Sequence, residues 1–483
     1  MFEVSMLVNN QQKHAQNNRT YECKNPISGE VVSVAAAASV SDAMSAADAA
    51  AAAFPVWSGM APNERRSILL KAADCLAAKA DEAAQTVMQE MGATPMWGGF
   101  NIHLASSMLR EAASMTTQLN GEIVPSDVPG LTAMAVRQPV GVVLGIAPWN
   151  APIILGVRSI AMPLACGNTV VFKASEICPA THQLIAQSLI EAGAPEGVIN
   201  MVTNAPEDAP NIVKALIEHP AIRRVNFTGS TRVGRIIASL CAENLKPALL
   251  ELGGKAPMIV LDDADVDAAV NAAAFGAYMN QGQICMSTER LIVTPGIADE
   301  LIDKLAAKAR TITAAAPEKG EAILGSVVNA AALERLNRLV ADAEKKGAKV
   351  LSGGQADTVL MDATLIDGVT SSMQIYSEES FGPVLSVIRA QNEEDAIRIA
   401  NDSDYGLSSA VFSQDYNKAM AIVNRIESGI CHINGPTVQD EAQMPFGGVK
   451  GSGYGRFGSK AAINEFTELR WITNQAGKRH YPF

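Results

Sequence analysis

The sequence predicts an α/β fold built on a mainly parallel sheet, and three observations lead to it. From Gly141 onward, short β-rich runs alternate with helical ones, the pattern of βαβ units. The chain has 483 residues; at roughly 150 residues per domain that makes about three structural units, too many for one simple core. Hydrophobic residues make up 48% but aromatics only 5%, and the abundance of Ala and Gly suits long helices packed closely on sheets.

Taken in order, residues 1–18 lack the basic stretch, apolar run and small-residue cleavage site of a secretion signal. Ser39 or Ser41 caps an Ala-rich helix, and after Pro55 a second helix restarts at Pro62 and runs to Lys79. Segment 121–138 alternates apolar and polar residues around Ser126–Asp127 and Pro129–Gly130, as a protruding hairpin does, and 466–473 is a further strand. These two are either an oligomerisation arm or plain surface structure. The uncharged stretch from Gly141 to Val157 is interrupted by Pro148, Asn150 and Pro152 and closed by Arg158. It is too short to span a membrane and reads as a buried strand and turn. Strands are expected at 142–146, 169–173, 198–202, 224–227, 248–252 and 258–261. A second α/β block begins after Gly253–Gly254 and ends near Gly458, with helices near 264–280 and 298–312 and strands near 384–390 and 408–413.

Ligands bind such sheets beyond the carboxyl ends of the strands, which is where Asn150, Lys173, Thr228–Ser230 and Glu251 fall. Cys285 follows Asn-Gln-Gly-Gln-Ile, where Gly282 allows a tight turn and backbone amides can lower a thiol pKa. Taken alone, it is equally a small buried hydrophobe. Glu251 precedes two glycines at the end of an apolar strand, where burial would raise its pKa toward that of a general base; its structural alternative is an ion pair with Lys255. Asn150 lies between prolines and is either an oxyanion donor or an Asx turn. Gly229-Ser-Thr-Arg-Val-Gly234 opens a helix that can receive a pyrophosphate, although it is not the GxGxxG fingerprint. Lys173 can reach phosphate or ribose oxygens, and Glu176 can accept from a ribose diol while opposing a 2′-phosphate.

The charge sum, 38 Lys and Arg against 50 Asp and Glu, is −12, which argues against nucleic acid and anionic membranes as partners. Seven scattered cysteines without a CxxC pair indicate neither a disulfide framework nor a zinc ribbon and suit the cytoplasm. There is no Walker A loop, HExxH or GxSxG, and the six histidines form no ligand-spaced pair, so no metal site is expected.

Seven motifs standing in order resemble the aldehyde dehydrogenase superfamily over nearly the whole chain: Pro148-Trp-Asn150, Lys173-Ala-Ser-Glu176, Phe227-Thr-Gly-Ser-Thr231, Glu251-Leu-Gly-Gly-Lys255, Asn280-Gln-Gly-Gln-Ile-Cys285, Glu379-Ser-Phe-Gly-Pro383 and Pro445-Phe-Gly-Gly-Val-Lys450. The resemblance implies a Rossmann-like NAD domain (1–120 and 141–252), an α/β catalytic domain (253–460) and a small β oligomerisation arm (121–140 and 461–483), in a homodimer or dimer of dimers. It assigns Cys285 as nucleophile, Glu251 as base and Asn150 as oxyanion donor. Trp149, Lys173, Glu176, Gly229, Ser230, Gly234, Leu252, Glu379 and Phe381 are assigned to the cofactor, NAD with NADP as the weaker alternative. One departure is Phe457, where many relatives have Glu. Segments 109–118, 125–130, 284–290 and 431–437 look most like bacterial vanillin, hydroxybenzaldehyde and salicylaldehyde dehydrogenases. The implied substrate is an aromatic aldehyde, with Trp97, Arg158, Met286 and Tyr454 as pocket candidates or, alternatively, core or interface packing. The other readings are a salicylaldehyde-preferring enzyme, an aliphatic or semialdehyde dehydrogenase, and a catalytically silent NAD-binding protein.

Overall fold

The computed structural model describes residues 1–320 and 322–483. Its first sheet has eight strands in the order Gly453–Tyr454, Ala248–Glu251, Ile222–Thr228, Val142–Ile146, Thr169–Lys173, Ile199–Val202, Met6–Val8, Gln11–Lys13. The five strands from Ala248–Glu251 to Ile199–Val202 are parallel, and each strand beyond them pairs antiparallel with its inner neighbour. Alternation explains why it is buried on both faces. Val142, Leu144, Ile146 and Val171 pack with Ala43, Ala46, Ala47 and Ala50 of helix Val40–Gly59, whereas Val143, Val170 and Phe172 point into the core on the opposite face. The alanine stripe brings the helix close enough for Thr169 Oγ1 to donate to the carbonyl of Ala50 at 2.8 Å.

A second sheet has seven strands, Lys349–Ser352, Thr364–Asp367, Val384–Arg389, Thr288–Val293, Ala256–Val260, Ser408–Phe412 and Ile430–Ile433, in that order. Every neighbouring pair is parallel except the first. The hairpin and terminal strand pair as a third, antiparallel sheet of Thr467–Gln475, Leu131–Pro139 and Glu122–Val124.

Ser39 is the cap, in a reciprocal capping box with Asp42, and the helix it opens passes Pro55 to reach Gly59. The later part of the stretch read as strand and turn is helical: Pro152–Ala165 is buried along its whole length, so it has no polar face to reveal a helical period. Strand Gly453–Tyr454, in the segment assigned to the catalytic domain, pairs with Ala248–Glu251 at the edge of the first sheet. Among the described residues, no helix is long and apolar enough to cross a membrane.

Candidate active site

Three left-handed residues in succession, Asn280 (φ 49°), Gln281 (φ 57°) and Gly282 (φ 67°), form the turn before Cys285. Side chains hold this unusual backbone. Asn280 Nδ2 donates to the Asn150 carbonyl at 2.9 Å, while the amide oxygens of Gln281 and Gln283 accept from Gly325 N and Val328 N, each at 2.9 Å. A Cβ at Gly282 would stand 2.1 Å from the Gly382 carbonyl, and one at Gly254 would stand 2.2 Å from that of Cys285. The glycines of two separate motifs are thus required by close backbone approach.

Cys285 lies at the junction of two cavities. One, of about 200 Å³, is lined by Trp97, Phe100, Arg158, Phe275 and Met286. The other, of about 700 Å³, runs past Glu251, Trp149, Ser230, Glu379 and Phe381. Asn150 borders both. Its Nδ2 donates to the Gln283 carbonyl at 2.9 Å, which uses one of the two amide hydrogens. Its own carbonyl also accepts from Trp97 Nε1 at 2.9 Å.

Glu251 is 1% exposed and neither carboxylate oxygen has a hydrogen-bond partner. Burial raises its carboxyl to about 7, partly offset by the neighbouring Cys285 thiol and Arg158. Burial, reinforced by Glu251, raises the Cys285 thiol well above its usual value. The expected alternative partner, Lys255, is committed elsewhere: its Nζ is 2.5 Å from Glu289.

Beyond Glu251 the large cleft continues into a lobe of about 490 Å³ that reaches Lys173 and Glu176. These two are ion-paired with each other, and Asn204 Nδ2 donates to the Glu176 carboxylate at 3.0 Å. The Lys173 ammonium and Asn204 overcome the burial penalty and hold Glu176 below the usual carboxyl value. Ser230 caps helix Thr231–Glu243. A Cβ at Gly234 would meet the Leu252 side chain at 2.4 Å, so Leu252 sits directly beneath the first helical turn. At the other end Glu379 accepts from Gly254 N at 2.7 Å, and Trp149 meets the Phe381 ring edge-on at 5.8 Å between centroids. A helix N-terminus flanked by two carboxylates fits a dinucleotide, with the pyrophosphate on the amides and a diol at each acid.

The aldehyde dehydrogenase family profile matches residues 13–472. The chain belongs to the aldehyde dehydrogenase family. It is an aldehyde-oxidising oxidoreductase, and the family implies a nicotinamide cofactor. The enzyme is 60% identical to a vanillin dehydrogenase of Pseudomonas fluorescens and 51% identical to a salicylaldehyde dehydrogenase of Pseudomonas putida, each over 482 residues that cover 100% of both chains. Its fold matches the crystal structure of a salicylaldehyde dehydrogenase from Pseudomonas putida G7 complexed with salicylaldehyde, with a TM-score of 0.98, 50% identity and 100% of both chains covered.

Of the four pocket candidates, Trp97, Arg158 and Met286 line the smaller cavity, whereas Tyr454 does not. Tyr454 is 51% exposed on the edge strand, opposite Leu250. The sequence reading missed Phe100, stacked on Trp97 at 5.5 Å, and Asp440, which holds Arg158 at 2.5 Å. Phe457 is buried, with the Arg158 guanidinium 5.4 Å from its ring centre and 4.2 Å from that of Phe446. Segment 433–446 is of mixed polarity and carries Asp440 and Glu441 side by side, so nothing local singles out Asp440.

Proposed function

We propose that the enzyme oxidises an aromatic aldehyde, such as vanillin, 4-hydroxybenzaldehyde or a related benzaldehyde, to its carboxylic acid with NAD. The observation that carries this reading is the position of Cys285 between an aromatic-walled cavity and a dinucleotide-shaped cleft. The vanillin and salicylaldehyde dehydrogenases similar to this chain support the substrate class. Glu251, about half ionised near pH 7, accepts the Cys285 proton. The thiolate attacks the aldehyde carbon, and the free Asn150 N–H and the Cys285 backbone N–H donate to the oxyanion. When bound, the nicotinamide supplies the hydride acceptor. Loss of hydride from the adduct leaves a thioester on Cys285. Glu251, having passed the thiol proton to solvent, then takes a proton from the water that attacks the thioester and returns it to the departing Cys285 sulfur, releasing the acid and the free thiol.

Glu176, oriented by Lys173 and Asn204, favours NAD because its charge opposes a 2′-phosphate. The seven cysteines are all free, which supports a cytoplasmic setting. Val124, Leu469 and Trp471 share one face of the third sheet and are 45%, 62% and 79% exposed; an apolar face of this kind supports an arm that joins subunits. The deciding experiment compares kcat/KM for vanillin, 4-hydroxybenzaldehyde, salicylaldehyde and succinic semialdehyde with NAD and NADP. Preference for an aromatic aldehyde with NAD is expected. Preference for succinic semialdehyde would refute the substrate class, and absence of NADH from every aldehyde would leave a cofactor-binding protein without the chemistry.

A further inference from the structure

The Ser287-Thr-Glu-Arg290 segment after the nucleophile has no part in the mechanism above, yet Glu289 is the most heavily bonded buried carboxylate beside the cleft. It is 3% exposed and lies on strand Thr288–Val293. Its Oε2 is 2.5 Å from Lys255 Nζ and accepts from Ser380 N at 2.8 Å; its Oε1 accepts from Ser380 N at 3.1 Å and Phe381 N at 2.9 Å. Lys255 is itself fully buried, and its carbonyl accepts from Arg290 Nε at 3.0 Å. Two successive backbone N–H groups converging on one anion form a nest.

That nest shapes the residues facing the cleft. Phe381 has φ 45°, a left-handed conformation that a bulky aromatic rarely adopts and that surrounding contacts must enforce. Glu379, one residue before the nest, accepts from Gly254 N through its carboxylate, and its carbonyl accepts from Arg335 Nη1 at 2.5 Å. The Phe381 ring meets Trp149 across the cleft. Glu289 therefore links the strand that follows the nucleophile to both side chains expected to hold the nicotinamide half of the cofactor.

We propose that Glu289, charge-balanced by Lys255, is a positioning residue that sets the 379–381 hook for cofactor binding. The proposal rests on the reading that the large cleft binds a nicotinamide dinucleotide. Glu289→Gln removes the charge and turns one acceptor into a donor facing Lys255 or the two backbone N–H groups, so the hook loses its template. NADH dissociation constants, measured by fluorescence on the full-length enzyme, are expected to rise about tenfold or more, as does KM for NAD. KM for the aldehyde and the rate of Cys285 alkylation by iodoacetamide should stay within about twofold, a split that general loss of folded protein would not produce. If Glu289→Gln does not fold, Lys255→Met with Glu289→Gln removes both charges together, the better tolerated change, and carries the same expectation. Unchanged NADH affinity in either folded variant, or an equal loss in every parameter, would overturn the proposal. Wild-type enzyme that binds no NADH would instead overturn the cofactor reading and this one with it.

Discussion

Replacing Glu251 by Gln should stabilise the fold progressively as pH rises, while impairing turnover. The folded carboxyl titrates near 7 against an ordinary value of 4.5, because burial outweighs the opposing effects of the Cys285 thiol and Arg158. Between those values the native state holds a proton that the unfolded chain has released, so wild-type stability falls as pH climbs from 4.5 through 7. Integrating the linkage between pH 5 and pH 8 gives about 2.5 kcal/mol lost by the wild type. Glutamine has no such titration. Its amide carries a burial cost of about 1–3 kcal/mol, but that cost does not vary with pH. The variant-minus-wild-type difference in urea unfolding free energy should therefore move by about 2.5 kcal/mol in favour of Gln from pH 5 to pH 8. Both proteins are compared at one concentration, because subunit association shifts apparent stability. A difference that is flat with pH would refute the claim that Glu251 is a buried carboxyl with a raised pKa.

Cys285→Ala should lower NADH formation by a factor on the order of 10⁴ or more in a steady-state assay. Asn150→Ala should lower kcat by about 10²-fold with little change in KM, as expected for a donor that acts mainly on the transition state. Glu176→Ala should raise the NADP/NAD ratio of kcat/KM about tenfold by removing the charge that opposes a 2′-phosphate. Trp471→Glu should shift the mass measured by light scattering toward the single chain of 50.8 kDa if the exposed face of the third sheet joins subunits.

The strand ends were the most legible part of the molecule. Val142–Ile146 and Thr169–Lys173 stand where the β-rich runs place them, because short apolar runs bounded by turn residues leave little choice. Helix Pro152–Ala165 was harder to read, since complete burial erases amphipathic periodicity. At the site, Cys285, Asn150 and Glu251 are conspicuous because each is a polar residue in an apolar or turn context, and the fold brings them to one cleft. Lys255 was offered as a partner for Glu251 from nearness in sequence, but pairs with Glu289 across neighbouring strands. Tyr454 missed the cavity because a two-residue edge strand turns it to the surface, and Asp440 went unnoticed because its link to Arg158 spans 282 positions. Contacts of that separation have no local pattern.

The central claim, a thioester on Cys285 released by Glu251, is tested most directly by mixing Glu251→Gln enzyme with NAD and vanillin and analysing the quenched protein by mass spectrometry. NADH should form once per subunit, more slowly than in the wild type because the thiol has lost its proton acceptor, and then stop, with a vanilloyl group on the Cys285 peptide. Continued wild-type turnover, or a single turnover with the acyl group on any other residue, would contradict the account.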